Sequence, residues 1–408
     1  MKTIPRQLFL APVVLAALAG CAASPSAPSI PPPTVVVASP QILGPHAEGT
    51  PRELRQTAER ALAAQKFREA ADALETLLAS HDPSVEAERA VLLYDLATAY
   101  EGLEDLVKAR ETYRQISSTY PASVQARGAL AREELLDVYL EDWSRLGAVA
   151  AALLARTDVD DVDRLTGLGA RGLAEIESGD ASQSVRATKD VQDGLDLVDS
   201  LHYGAAGRLP APAAQLYFAL GETRKARSEA IVLDEVPDFL ARINLRCELL
   251  LSAQSAYADA IRSVDPHWAA MSGERVGEMY RSLHHDLMLI VSRKAKNESD
   301  RQLFYAMMHV RYRVLLEKGI AMMQRTLDFA AKTWPDAATG GTPEGASAWT
   351  KRAEAAKREM QQSLEEEKAE IAKYPFTEEE ITKALAILEA KTKATQAKEA
   401  AKEAARTR

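Results

Sequence analysis

Leu96-Ala97-Thr98-Ala99-Tyr100, followed by Ala109, Tyr113 and Pro121, is the stretch that decides the fold. Small and aromatic residues fall here at helical spacing, and a proline closes the segment. The pattern recurs along the chain. Ala61, Tyr100 and Tyr139 sit 39 residues apart, as do Ala70, Ala109 and Ala148, and Leu74, Tyr113 and Ala152. A fixed self-spacing of this size marks an array of helical units. Ala58, Phe67, Ala70 and Pro83 outline the unit before. The unit after is degenerate, with Arg145 where the spacing expects an apolar residue. The connections 81–88 and 122–127 absorb the length that two helices do not need.

Composition agrees with an all-α fold. Of the 408 residues 47% are apolar and 27% charged, and only 6% are aromatic. Alanine is abundant, which favours helix over sheet. The formal charge is −9, and an acidic body argues against nucleic acid as a partner. There are two cysteines, Cys21 and Cys247. As read below, Cys21 is used by the N-terminal signal, so Cys247 has no partner and no disulfide framework exists.

Beyond the repeats, helical phase continues from 157 to 335. Leu165, Leu168, Leu173 and Ile176 form one apolar face, and a turn at Gly179-Asp180 leads to a second helix over about 182–201. A loop over 204–212 precedes longer helices. Ile243, Cys247, Leu250, Tyr257 and Ile261 make one stripe. Asp265-Pro266 reads as an N-cap with proline at the first helical position. Trp268, Val276, Met279, Tyr280 and Leu283 follow as the next face. A third long helix runs over 303–329, stopped by Trp334-Pro335, and residues 336–346 read as a flexible linker. Residues 347–408 read as charged helices, with a capping box at Thr377 and Glu380. From Lys391 there is no apolar face.

The N-terminus is of another kind. Lys2 and Arg6 precede an apolar run from Leu8 to Ala19, which ends in Leu18-Ala19-Gly20-Cys21. The run is about a dozen residues, where a spanning helix needs roughly 20. It has the basic start, apolar middle and small-residue exit of a secretory signal, residues 1–20. With a cysteine at the exit, it resembles a bacterial lipoprotein signal. The resemblance implies cleavage before Cys21, acyl chains on that residue, and stable anchoring, since more than one chain is attached. Ala22, rather than an aspartate, follows the cysteine, which by the same resemblance favours the outer membrane. Lys2 and Arg6 leave with the signal, taking the charge from −9 to −11. Residues 21–50, rich in Pro, Ser and Ala around Pro31-Pro32-Pro33, read as an extended, disordered tether.

Several stretches carry the letters of catalytic or binding motifs. Gly167-Leu168-Gly169-Ala170-Arg171-Gly172 matches the dinucleotide pattern, but Asp158-Val159-Asp160-Asp161-Val162-Asp163 ahead of it is no buried strand. The glycines read as places of close helix packing. That aspartate cluster lacks calcium-loop ligands, with Val162 at the fifth position and Gly169 at the twelfth, and reads as a helix start. His284-His285-Asp286 offers two imidazoles about 100° apart on a helix, which do not converge on a metal. Trp334-Pro335-Asp336 suggests a phosphatase acid loop, but Cys247 is followed six residues on by Ala253, not arginine. On its apolar stripe Cys247 stays protonated and inert. Glu365-Glu366-Glu367 and Glu378-Glu379-Glu380 read as solvated faces and a favoured helix start. No catalytic, cofactor or metal residue is therefore expected.

The unit around Tyr100 resembles a tetratricopeptide repeat. In that family small residues let two antiparallel helices touch, aromatics fill between them, and a proline ends the second helix. The resemblance implies that Ala70, Tyr100, Ala109, Tyr113 and Pro121 pack one repeat on the next, within a repeat region at 51–156 that continues as longer packed helices. The spacing of 39 exceeds the family's 34. The segment from Leu220-Gly221-Glu222 through Asp265-Pro266-His267-Trp268-Ala269 to Gly277-Glu278-Met279-Tyr280 resembles myxobacterial lipoproteins of this repeat class, including those of adventurous gliding motility. The resemblance implies a non-enzymatic, periplasm-facing scaffold lipoprotein of the outer membrane. Its partners would be proteins of an envelope complex, and its only attached group the lipid on Cys21. The alternatives are a repeat lipoprotein of β-barrel or pilus assembly and, in another class, a cell-wall-active enzyme.

Overall fold

The computed structural model describes residues 48–80, 82–179, 184–203, 209, 211–233, 239–262, 265–290, 296–333 and 344–387, with 390 and 394. Cys21, the tether before residue 48, Trp334-Pro335 and the tail beyond 394 lie outside these residues. Among the described residues every regular element is a helix.

The first helices are α1 (Pro51–Ala63), α2 (Phe67–Leu78), the short α3 (Pro83–Ala87), α4 (Arg89–Gly102) and α5 (Leu106–Thr119). Next come α6 (Gln125–Tyr139), α7 (Trp143–Leu154), α8 (Asp161–Glu177) and α9 (Ser184–Ser200). Four longer elements follow: α10 (Ala211–Glu229), α11 (Phe239–Ile261), α12 (Pro266–Met288) and α13 (Glu298–Thr333). The chain ends in α14 (Glu344–Ile371) and a helical stretch, α15, over 378–387.

The starts and stops follow local chemistry. Thr50 and Glu53 form a reciprocal capping box at α1, Asp160 and Asp163 another at α8, and Thr377 and Glu380 a third at α15. Asp265 caps α12 ahead of Pro266. The hairpin turns are built alike. Lys66 N donates to Ala61 O, Asp105 N to Tyr100 O and Asp142 N to Asp137 O, each closing the six-residue loop that ends a helix on a left-handed residue. Those residues are Gln65, Glu104 and Glu141, at φ 56°, 57° and 55°. A left-handed non-glycine costs about 1–2 kcal/mol; the helix-end carbonyls that the turn satisfies offset it.

These turns correct the repeat register. Gln65 and Glu104 are 39 apart, but Glu104 and Glu141 are 37. The third unit has slipped by two residues. Asp137, Leu146 and Ala150 stand where the second unit has Tyr100, Ala109 and Tyr113, and all three are buried. Ala148 and Ala152, which a spacing of 39 puts inside, are exposed. Arg145 thus falls opposite Lys108 rather than an apolar residue, and it pairs with Glu111 at 2.9 Å. Two smaller boundaries also move. Pro212 lies in the first turn of α10 rather than in a loop, and residues 344–346 already belong to α14.

Each helix packs on the next along the chain from α4 to α14, and α2 packs on both α1 and α4. In addition α4, α6, α8, α10, α12 and α14 touch in succession and so form one layer. The layer curls, because the end of α6 meets the start of α12. Tyr139 stacks on His267 with ring centroids 4.2 Å apart and meets Trp268 edge-on at 5.8 Å. The core follows from small-against-large contacts. Ala70, Ala109, Leu74 and Tyr113 are buried between α2, α4 and α5, and Trp268 is fully buried beside Phe218. α14 stands on a smaller footing of its own, Ala353 and Ala356 against Met323. No helix among the described residues is long and apolar enough to cross a membrane.

Candidate functional site

α1, α4, α6 and α8 run parallel, and side-chain pairs fix their register. Arg55 of α1 pairs with Glu88 at the start of α4, and Glu59, one turn further along α1, acts electrostatically on Asp95, two turns further along α4. Arg132 of α6 pairs with Glu101 of α4. Arg127, at the start of α6, reaches Asp160 at 3.3 Å and Asp163 at 3.3 Å at the start of α8. The four helix N-termini therefore share one edge.

A groove of about 490 Å³ opens at that edge between α4 and α6. Val91, Tyr94 and Asp95 form one wall, Val124, Gln125, Arg127 and Gly128 the other, and Asp158 one end. Val124 is 87% exposed and Val91 39%. Gly128 lets the walls approach closely at one point, since a Cβ there would lie 3.0 Å from the Tyr94 hydroxyl. The charges along the groove are largely used internally. Arg156 clamps Asp158 with two bonds of 2.8 and 2.9 Å, and Arg127 is held by its two aspartates. Burial, then the charge of Glu59, hold the Asp95 carboxyl above the usual range. A groove with exposed valines and few unspent charges can hold an extended apolar segment.

The second polar concentration lies inside the curl of the layer. Arg275 of α12 reaches Glu222 at 2.9 Å, Glu141 at 3.2 Å, Glu274 at 3.3 Å and Glu177 at 3.9 Å. Tyr257 donates to Glu222 at 2.7 Å, Lys225 lies 3.2 Å from the same carboxylate, and Arg352 of α14 pairs with Glu141. Burial alone would raise Glu222, but Arg275, Lys225 and the Tyr257 hydroxyl outweigh it and hold it at about 2. Burial and the ionised Glu222 beside it push Glu177 to about 7. Asp137 is also pushed to about 7, by burial, against the pull of Arg110 at 3.3 Å and of Arg145. These ions join five helices of the layer and hold its curvature.

The sequence singled out other residues, and the structure places each. Ala70, Tyr100, Ala109 and Tyr113 are buried between helices, while Pro121 is exposed beyond the end of α5, its carbonyl accepting from Arg156 at 3.1 Å. The three glycines of the 167–172 motif lie inside α8. A Cβ at Gly167 would meet Leu154 of α7 at 2.7 Å, at Gly169 the backbone of α10 at 3.2 Å, and at Gly172 Val191 of α9 at 3.0 Å. Asp160 and Asp163 cap α8, and no group of His, Cys, Asp and Glu among the described residues is arranged to hold a metal ion. Cys247 is buried, which pushes its thiol up to about 11. Cys21 lies outside the described residues.

Glu367 corrects the sequence reading. It is buried rather than solvated, and one of its oxygens lies 2.7 Å from His284 Nε2 of α12 and 3.0 Å from His309 Nδ1 of α13. Burial would raise its carboxyl, but the two imidazoles hold it below the usual range. His285 is exposed, so the adjacent pair does not converge. His309 and Arg275 carried no local signal. Each matters through partners far away in sequence, and only their helical phase, on the buried side, could have flagged them. No family model matches the chain, and no curated protein matches it in sequence.

Proposed function

We propose that the protein is a non-enzymatic scaffold of the cell envelope that captures a protein partner in the α4–α6 groove. Tetratricopeptide-like stacking is the reading of its hairpins that best accounts for the repeated left-handed turns and for the single layer of alternate helices. Such layers present surfaces for extended partners. The Leu18-Ala19-Gly20-Cys21 box supports an acyl anchor on Cys21 at the outer membrane, with the body facing the periplasm. The resemblance to gliding-motility lipoproteins supports membership of a motility or envelope-assembly complex.

The observation that carries the reading is the groove itself. Exposed Val91 on α4 and Val124 at the N-cap of α6 flank it, and its charges are mostly paired. The test is affinity purification from detergent-solubilised envelopes, wild type against Val91→Asp/Val124→Asp. A set of envelope proteins captured by the wild type and lost in the variant, at equal melting temperature, is the expected result. Identical captured sets would overturn the groove as the docking site.

A further inference from the structure

The groove lies at the edge where the tether joins the body. Thr50 starts α1, Glu88 precedes α4, Val124 precedes α6 and Asp160 caps α8, and the pairs Arg55–Glu88 and Arg127–Asp160 bring these starts together. The chain ahead of Thr50 therefore enters beside the groove mouth. Neighbouring helices lie about 8–10 Å apart, so α6 is roughly 20 Å from the Thr50 end of α1. Seven extended residues, from Leu43 to Thr50, span about 23 Å at ~3.3 Å each.

The composition of the incoming chain fits the groove. From Cys21 to Ala47 there is no charged residue. The bulky apolar residues of that span, apart from Ile30, are Val35, Val36, Val37, Ile42 and Leu43. A groove with exposed valines, internally paired ions and a half-buried Asp95 suits a neutral apolar strand. It suits the C-terminal residues poorly, since 391–408 carry Lys391, Lys393, Lys398, Lys402, Arg406 and Arg408 against two glutamates.

We propose that residues 34–43 fold back into the α4–α6 groove, so that the tether is held short until a partner displaces them. This rests on the reading of the groove as the docking site. With the segment seated, residues 22–33 alone connect lipid to body and reach about 40 Å; released, residues 22–49 reach about 90 Å, both at ~3.1 Å per residue. Partner capture and reach from the membrane are then one event.

The test is disulfide trapping in the full-length, detergent-purified protein. Leu43→Cys is paired with Val124→Cys at the groove, and in a control with Val107→Cys, exposed at the start of α5 on the opposite edge. Under mild oxidation the groove pair should close within one chain on the order of ten-fold faster than the control, because seating raises the local concentration. Adding Val36→Asp/Ile42→Asp should bring it down to the control rate. Equal rates for both pairs, closure only between chains, or indifference to the aspartates would overturn the proposal. If trapping fails while partners are still captured, the folded-back tether falls and the scaffold stands. Efficient trapping in a protein that captures no partner keeps the folded-back tether and removes the scaffold.

Discussion

The hydroxyl of Tyr139 donates to Oδ2 of Asp265 at 3.0 Å across 126 positions of sequence, while Oδ1 of the same carboxylate caps α12 by accepting from His267 N at 2.9 Å and Trp268 N at 3.1 Å. One side chain thus starts a helix and holds it against another. Tyr139→Phe removes only the second role and should cost about 1.5–3 kcal/mol, as for a hydrogen bond to a charged group. Asp265→Ala also removes the cap, about 1 kcal/mol more. Urea midpoints should rank wild type, Tyr139→Phe, Asp265→Ala; a reversed order of the two variants would contradict the double role.

The two-residue slip can be tested by substituting alanines that the sequence treats as equivalent. Ala109 is buried with no exposed surface, whereas Ala148 is exposed. Ala109→Leu should overpack the α4–α5 contact, cost about 1–3 kcal/mol and lower the melting temperature. Ala148→Leu should leave it unchanged within about 0.5 kcal/mol. Equal losses at both sites would restore the uniform spacing.

Stability should fall between pH 5.5 and 8. Asp137 and Glu177 each stand at about 7 in the folded chain, above the usual range near 4. The folded state therefore binds their protons more tightly. Their contribution is complete below about pH 4 and is lost as pH rises through 7. Glu222, held at about 2, acts the other way, but its contribution is lost only toward pH 2, outside this window. Melting curves at the two pH values should show the higher midpoint at 5.5, and Asp137→Asn with Glu177→Gln should flatten the difference. A wild-type midpoint that is level or rises toward pH 8 would refute the assignment.

The anchor is tested by fractionation. Cys21→Ser removes the acyl acceptor and should leave the protein uncleaved or soluble, with the helical body intact by circular dichroism. Normal yield of the substituted protein in the outer membrane would be incompatible with lipid attachment at this residue.

What the sequence made legible was whatever is settled within a turn or two of helix. The caps at Asp265-Pro266 and at Thr377 with Glu380, the stripe through Cys247 and the face through Trp268 all depend on neighbours three or four residues away. The slip at Glu141 stayed hidden because Tyr139 is buried at the expected spacing for an unrelated reason, its contact with α12. Glu367 looked solvated because a run of three glutamates says nothing of a buried face, and the imidazoles that take it stand on two other helices. The groove, too, was invisible. It exists only once α4 and α6 are set side by side, and Val124 alone reads as an ordinary residue before a helix.

Glu141 binds Arg275 and Arg352, which lie 134 and 211 positions away. An open stack of hairpins can be lengthened or shortened by whole units, since each touches only its neighbours. That freedom is gone here. Duplicating or deleting one hairpin between α6 and α12 would carry Arg275 a full helix spacing from Glu141 and strand that carboxylate in the interior. The ions inside the curl thus tie the fold to this number of units, and a chain with one hairpin added or removed there should fail to close the network.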